Sequence, residues 1–133
     1  TIDILENHEE QNRPIEIKTT RKTIQKPSDI PTTYIEQLQM AMLALNSNIG
    51  YLAILNVINA DLLFLRLEWE NEAEKHAREF VFKSRLLALK EALKKDNPCL
   101  LPRLQWMCKS CEYKTICKEQ CGEEGASERV WAH

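Results

Sequence analysis

Two groups of residues in this chain have the types and spacing to do chemistry. Asp3 and the run Ile15-Glu16-Ile17-Lys18 put two carboxylates and an ammonium on what read as neighbouring strands. Two-metal phosphodiester hydrolysis needs hard oxygen ligands for Mg²⁺ or Mn²⁺ and a group that places or activates a water. Glu16 and Lys18 share a strand face, roughly 6–7 Å apart along the chain. The backbone carbonyl of Ile17 offers one more oxygen. Taken alone, Glu-x-Lys on a strand is more often a solvated ion pair of small energetic consequence.

The second group is sulfur. Cys108, Cys111 and Cys117 follow the spacing C-x2-C-x5-C, and four thiolates can hold either a [4Fe–4S] cluster or a Zn²⁺ ion. Spacing does not choose between them, although a zinc ribbon usually shows a second C-x2-C pair that is lacking here. Cys99 and Cys121 are the remaining cysteines. Each could complete the ligand set, and each has a plainer reading. Cys99, between Pro98 and Leu100, could be a small buried hydrophobe; Cys121 could be a surface thiol.

These residues need elements to position them. Thr1–Leu5 alternates Ile2 and Ile4 against Asp3, as a half-buried strand does, and Arg13–Thr20 reads as a second strand joined by a long charged loop. Ile15 and Ile17 point one way, Glu16 and Lys18 the other. A polar linker with two prolines, residues 22–31, precedes a helix opened by the capping box Thr33-Tyr-Ile-Glu36 and ended by Asn46–Gly50. Tyr51–Ile58 and Leu62–Trp69 form a hairpin around Asn59-Ala-Asp61. Glu70–Lys95 is a long helix, acidic at its start and basic at its end, stopped by Asn97-Pro98. Its Phe80/Val81/Leu87/Ala88 stripe reads as core. The order ββαββα followed by a cysteine segment predicts an α/β (α+β) fold.

With 133 residues, 44% hydrophobic and 29% charged, there is material for one modest core, which we divide as residues 1–98, a cysteine segment 99–121 and a polar tail 122–133. A net charge of −2 supplies no global basic field for coating nucleic acid, and says nothing against a local groove. Arg21, Lys22 and Lys26 could line a phosphate entrance or simply solvate a linker. The apolar stretch 51–69 is interrupted by Asn56, Asn59, Asp61 and Arg66, so it predicts no membrane span. Clustered cysteines without an export signal point to metal binding in a reducing, cytoplasmic setting. Because the chain opens on Thr1 inside a strand-like run, we expect a longer protein to precede it.

Asp3, the run I-E-I-K-T-T, Gln37 and the pattern W-x-C-x2-C-x-Y-x3-C from Trp106 to Cys117 together resemble the RecB-like nucleases of the PD-(D/E)XK superfamily. The resemblance is strongest to the CRISPR-associated iron–sulfur exonucleases. It implies a restriction-endonuclease-like mixed sheet flanked by helices with a C-terminal cysteine-rich knot. It further implies that Asp3, Glu16 and the Ile17 carbonyl bind a catalytic Mg²⁺ or Mn²⁺ and that Lys18 helps activate water. Gln37 would support the site from a Q-x3-Y helix motif; Ala41 stands at the tyrosine position, and Tyr34, one turn before Gln37, could partly cover the gap. Cys108, Cys111 and Cys117 would hold a [4Fe–4S] cluster whose fourth ligand comes from upstream, together with a metal-binding histidine. The implied partners are single-stranded or frayed DNA and an integrase complex. The rival reading is a cluster- or zinc-stabilised module that binds DNA without cutting it.

Overall fold

The computed structural model describes residues 2–9, 11–101 and 110–121. They fall into two compact units, Thr1–Glu79 and Phe80–His133.

The first unit is built on a four-stranded sheet in the order β1-β2-β3-β4. Strand β1 (Ile4–His8) pairs antiparallel with β2 (Gln11–Thr20), and β3 (Ile49–Asn56) pairs antiparallel with β4 (Leu62–Glu68). The two hairpins meet through a parallel β2/β3 pair in which Glu16 lies beside Leu52 and Lys18 beside Ile54. A parallel pair needs a crossover connection. Helix α1 (Thr32–Ala44) supplies it and packs on β2 and β3.

The α/β class and the order of elements match expectation, and several boundaries differ. Strand β1 begins at Ile4, so Asp3 stands just outside it. The first hairpin is tight rather than long-looped, because Glu9 takes a positive φ of 49° and lets the charged residues continue both strands. The capping box at Thr33 does not form. The N-cap is Pro31, without a side-chain cap, and Thr33 is already helical. At the other end, Asn46 adopts φ 50° and Ser47 N–H donates to Met42 O at 2.8 Å, a Schellman ending made without glycine. Trp69 Nε1 donates to Ser47 O, and Lys75 Nζ to the side-chain oxygens of Asn46 and Asn48, fixing this turn.

The core lies between α1 and one sheet face: Leu38, Met42, Leu52 and Ile54 are fully buried, flanked by Tyr34, Ile35, Leu63 and Leu65. Gly50 permits the close approach, since a Cβ there would stand 2.8 Å from Leu38 Cδ1 and 2.9 Å from Met42 Cγ. The opposite sheet face carries Ile17, Phe64 and the stacked Tyr51–Phe64 pair; Ile17 and Phe64 remain substantially exposed.

Helix α2 (Glu72–Lys94) ends like α1, with Asp96 at positive φ and Asn97 N–H donating to Ala92 O. The core stripe expected from its sequence is displaced. Phe80 and Leu87 are exposed, whereas Phe82 and Ala92 are buried. A helix with apolar residues on several sides offers more than one stripe, and packing selects among them. The second unit continues through a short 3₁₀ turn, Pro98–Leu100, to helix α3 (Lys114–Cys121). No described helix is long and apolar enough to cross a membrane.

Candidate active site

Alternation along β2 sets the site. Pro14 and Glu16 are buried beneath α1, while Ile17 is 43% exposed on the other face. Glu16 is thus a carboxylate on the covered side of the sheet, with only 7% of its surface reaching solvent. Lys18, two residues on and on the same face, places Nζ 2.6 Å from Glu16 Oε1. The same ammonium sits 5.5 Å from the ring centroid of Tyr34, in the first turn of α1, where the negative ring face attracts it.

Asp3 arrives differently. It lies where β1 would continue along the edge of β2, and its Oδ2 accepts the Ile17 N–H at 2.8 Å. In an extended strand a residue's N–H and C=O project toward the same neighbour, so the Ile17 carbonyl faces this edge as well. Asp3 and that carbonyl therefore occupy one margin of β2, and the Glu16 side chain rises from the adjoining position. These are hard oxygen donors of the kind Mg²⁺ and Mn²⁺ prefer. Among the described residues no three His, Cys, Asp or Glu side chains gather as a metal group, so two carboxylates and a carbonyl are what this stretch offers.

Gln37 joins Glu16 at a cleft of about 390 Å³ whose other walls are Ile2, Met40, Ala41 and Ala44. Gln37, Met40, Ala41 and Ala44 recur at helical spacing, so one face of α1 forms that wall. Sequence reasoning picked out Gln37 and missed Met40 and Ala44; the i, i+3, i+7 recurrence was the available signal. It also left Tyr34 as a possible stand-in for the aromatic lacking at Ala41. In the structure Tyr34 meets Lys18, while Ala41 leaves the cleft open. Asp3 does not line this cleft.

The sulfur residues divide. Cys108 lies outside the described residues. Cys111 is exposed and Cys117, on α3, is half-buried, and both are free thiols. Cys99 and Cys121 are joined to each other in a disulfide with Cα atoms 5.5 Å apart. That pairing corrects their place as spare cluster ligands. It arises because α3 packs back on the Pro98–Leu100 turn, a contact across 22 positions that spacing does not reveal.

Residues 1–118 match the family model described as the PD-(D/E)XK nuclease superfamily. The chain belongs to that superfamily. A solved structure titled "Crystal structure of SSO0001" is similar at 18% identity, with a TM-score of 0.48, over 90% of this chain and 50% of that one. The chain thus spans half the length of that structure. No curated protein matches it. PD-(D/E)XK proteins are nucleases, hydrolases that generally use Mg²⁺ or Mn²⁺ and are expected to bind DNA. The mixed four-stranded sheet and the Glu-x-Lys strand under its crossover helix accord with that membership.

Proposed function

We propose that this PD-(D/E)XK domain is a metal-dependent DNA exonuclease acting on single-stranded or frayed ends. The observation that carries the reading is the meeting of Asp3 with the Ile17 amide at the margin of β2, next to the buried Glu16–Lys18 pair. Asp3, Glu16 and the Ile17 carbonyl would hold the divalent ion. When bound, such an ion supplies Lewis-acid polarisation of the phosphate and lowers the pKa of a coordinated water. Lys18, tethered by Glu16 and the Tyr34 ring, would present its ammonium to the water or the scissile phosphate. Gln37 would steady the substrate at the mouth of the cleft.

For the cysteines we propose a [4Fe–4S] cluster, with zinc as the alternative, held by Cys108, Cys111 and Cys117 and a fourth ligand from upstream in the protein. The free thiols of Cys111 and Cys117 fit soft-metal chemistry. The cluster would be structural, adding folding free energy to the C-terminal segment. The resemblance of this tail to the CRISPR-associated exonucleases supports a role in trimming DNA before its insertion as a spacer, beside an integrase.

A second reading, a cluster-stabilised DNA-binding module without cutting activity, is favoured by Ala41 at the expected tyrosine position. Digestion of an end-labelled single-stranded oligonucleotide with Mn²⁺ separates the two. The nuclease reading expects wild-type protein to shorten the strand while Glu16→Gln and Lys18→Ala do not; equal rates for all three would refute it. Anaerobic purification should give brown protein that loses its colour in Cys111→Ser and Cys117→Ser. Colourless, zinc-loaded protein would defeat the iron assignment.

A further inference from the structure

A second concavity opens where β2 and β3 end, one step along the strands past Lys18. It measures about 170 Å³, with Ile24, Ile54 and Leu63 as apolar lining and Lys22, Thr23 and Asp61 at its exposed rim. Crevices beyond the carboxyl ends of parallel strands are where α/β sheets commonly take ligands. This one lies on the same sheet face as Glu16 and Lys18. Residues two apart along a strand share a face, and Thr20, four residues past Glu16 and roughly 13 Å along the strand, also lines the hollow.

The loop around the hollow is built rather than loose. Thr20 Oγ1 accepts the Lys22 N–H at 3.1 Å. Asp29 Oδ2 accepts the N–H groups of both Gln25 and Lys26, each at 3.1 Å. Asn56, 8% exposed, accepts the Ile58 N–H on Oδ1 at 2.9 Å and reaches the Lys22 carbonyl with Nδ2. Asp61 is held from both ends by Asn59: Oδ2 accepts Asn59 Nδ2, and the Asp61 N–H donates to Asn59 Oδ1 at 3.1 Å. A fixed carboxylate at the rim disfavours a phosphate inside. It suits the N–H donors on the edge of a nucleobase, while the apolar lining suits the base's ring. Lys22 at the rim, with Arg21 and Lys26 close by in the chain, supplies positive charge for the backbone outside.

We propose that this hollow seats one unpaired base of the DNA strand, with Lys22 on the adjoining phosphate, at a position removed from the cut. The proposal rests on the nuclease reading and deepens it. A base can enter only when it has left its duplex partner, so the hollow makes the enzyme favour single-stranded or frayed substrates. Apolar and polar contacts to the base select by shape and edge, and the lysine contributes sequence-independent attraction.

The test is binding without cutting. Fluorescence anisotropy is measured in divalent-free buffer with an end-labelled single-stranded oligonucleotide carrying one abasic nucleotide, moved stepwise from the free end. One position should weaken binding by about 5–10-fold, the lower range for losing a base contact, while its neighbours change little. Thr23→Trp, at the exposed rim, should erase that position's effect by filling the hollow, and Thr23→Ser should retain it. Lys22→Ala should weaken all the oligonucleotides alike and lower the salt slope by about 0.7. A flat abasic profile with intact binding, or a peak that survives Thr23→Trp, overturns the base seat and leaves the nuclease reading standing. No binding of any oligonucleotide also overturns the base seat, and the Mn²⁺ digestion then decides the nuclease reading by itself.

Discussion

Lys18 Nζ stands 2.6 Å from Glu16 Oε1, and the two side chains are only 21% and 9% exposed. A carboxylate this far from water is tolerated because an ammonium neutralises it. The pair therefore serves folding as well as chemistry, and mutational data must separate the two.

Lys18→Ala should lower stability by about 1–3 kcal/mol, because the buried Glu16 carboxyl loses its partner under α1. Adding Glu16→Gln should recover much of that loss without restoring cleavage. Denaturant midpoints of the two single variants and the double variant give the coupling. Additive losses would mean that the pair is not energetically linked.

Asp3 can be dissected by retaining its hydrogen bond. Asp3→Asn keeps an oxygen for the Ile17 N–H and should unfold near the wild-type midpoint, whereas Asp3→Ala should cost about 1 kcal/mol. Both should cut metal-dependent cleavage by about 100-fold or more, the scale for losing a directed charge contact in a site. Full activity in Asp3→Asn would remove its carboxylate from the ligand set.

Gly50→Ala should destabilise the first unit by about 1–3 kcal/mol, since the new methyl would press on Leu38 and Met42, both fully buried. The urea midpoint should fall with the slope unchanged.

Cys99→Ser should leave any brown colour intact, because Cys99 is bonded to Cys121 and not offered to a metal. In the chain-entropy model a bridge closing a loop of this length is worth about 3 kcal/mol. Dithiothreitol should accordingly lower the stability of the second unit in the wild type and leave Cys99→Ser unchanged. Loss of colour in Cys99→Ser would return it to the cluster.

Much of the fold was legible in the chain itself. Period-two alternation fixed Glu16 and Lys18 on one face of β2, and helical spacing put Gln37 on the element that follows. The turn around Asn59-Ala-Asp61 announced the second hairpin, where Ala60 indeed takes a positive φ. The helix opening at Thr33 misled, because the motif is local while the start of α1 follows Pro31. The stripe on α2 misled for a related reason: several apolar lines compete, and the chain does not say which one is covered.

Residue order by itself determined which side chains travel together: an acid and an amine on one strand face, four cysteines in one short tail. Only the tertiary structure decided which face of β2 would be covered. The crossover from β2 to β3 lays α1 over the polar side, so Glu16 is buried and Ile17 exposed. It also brought Asp3 to the Ile17 amide and Cys99 to Cys121, over 14 and 22 positions. Periodicity is a property of neighbouring residues, whereas coverage and long-range contact depend on how whole elements pack.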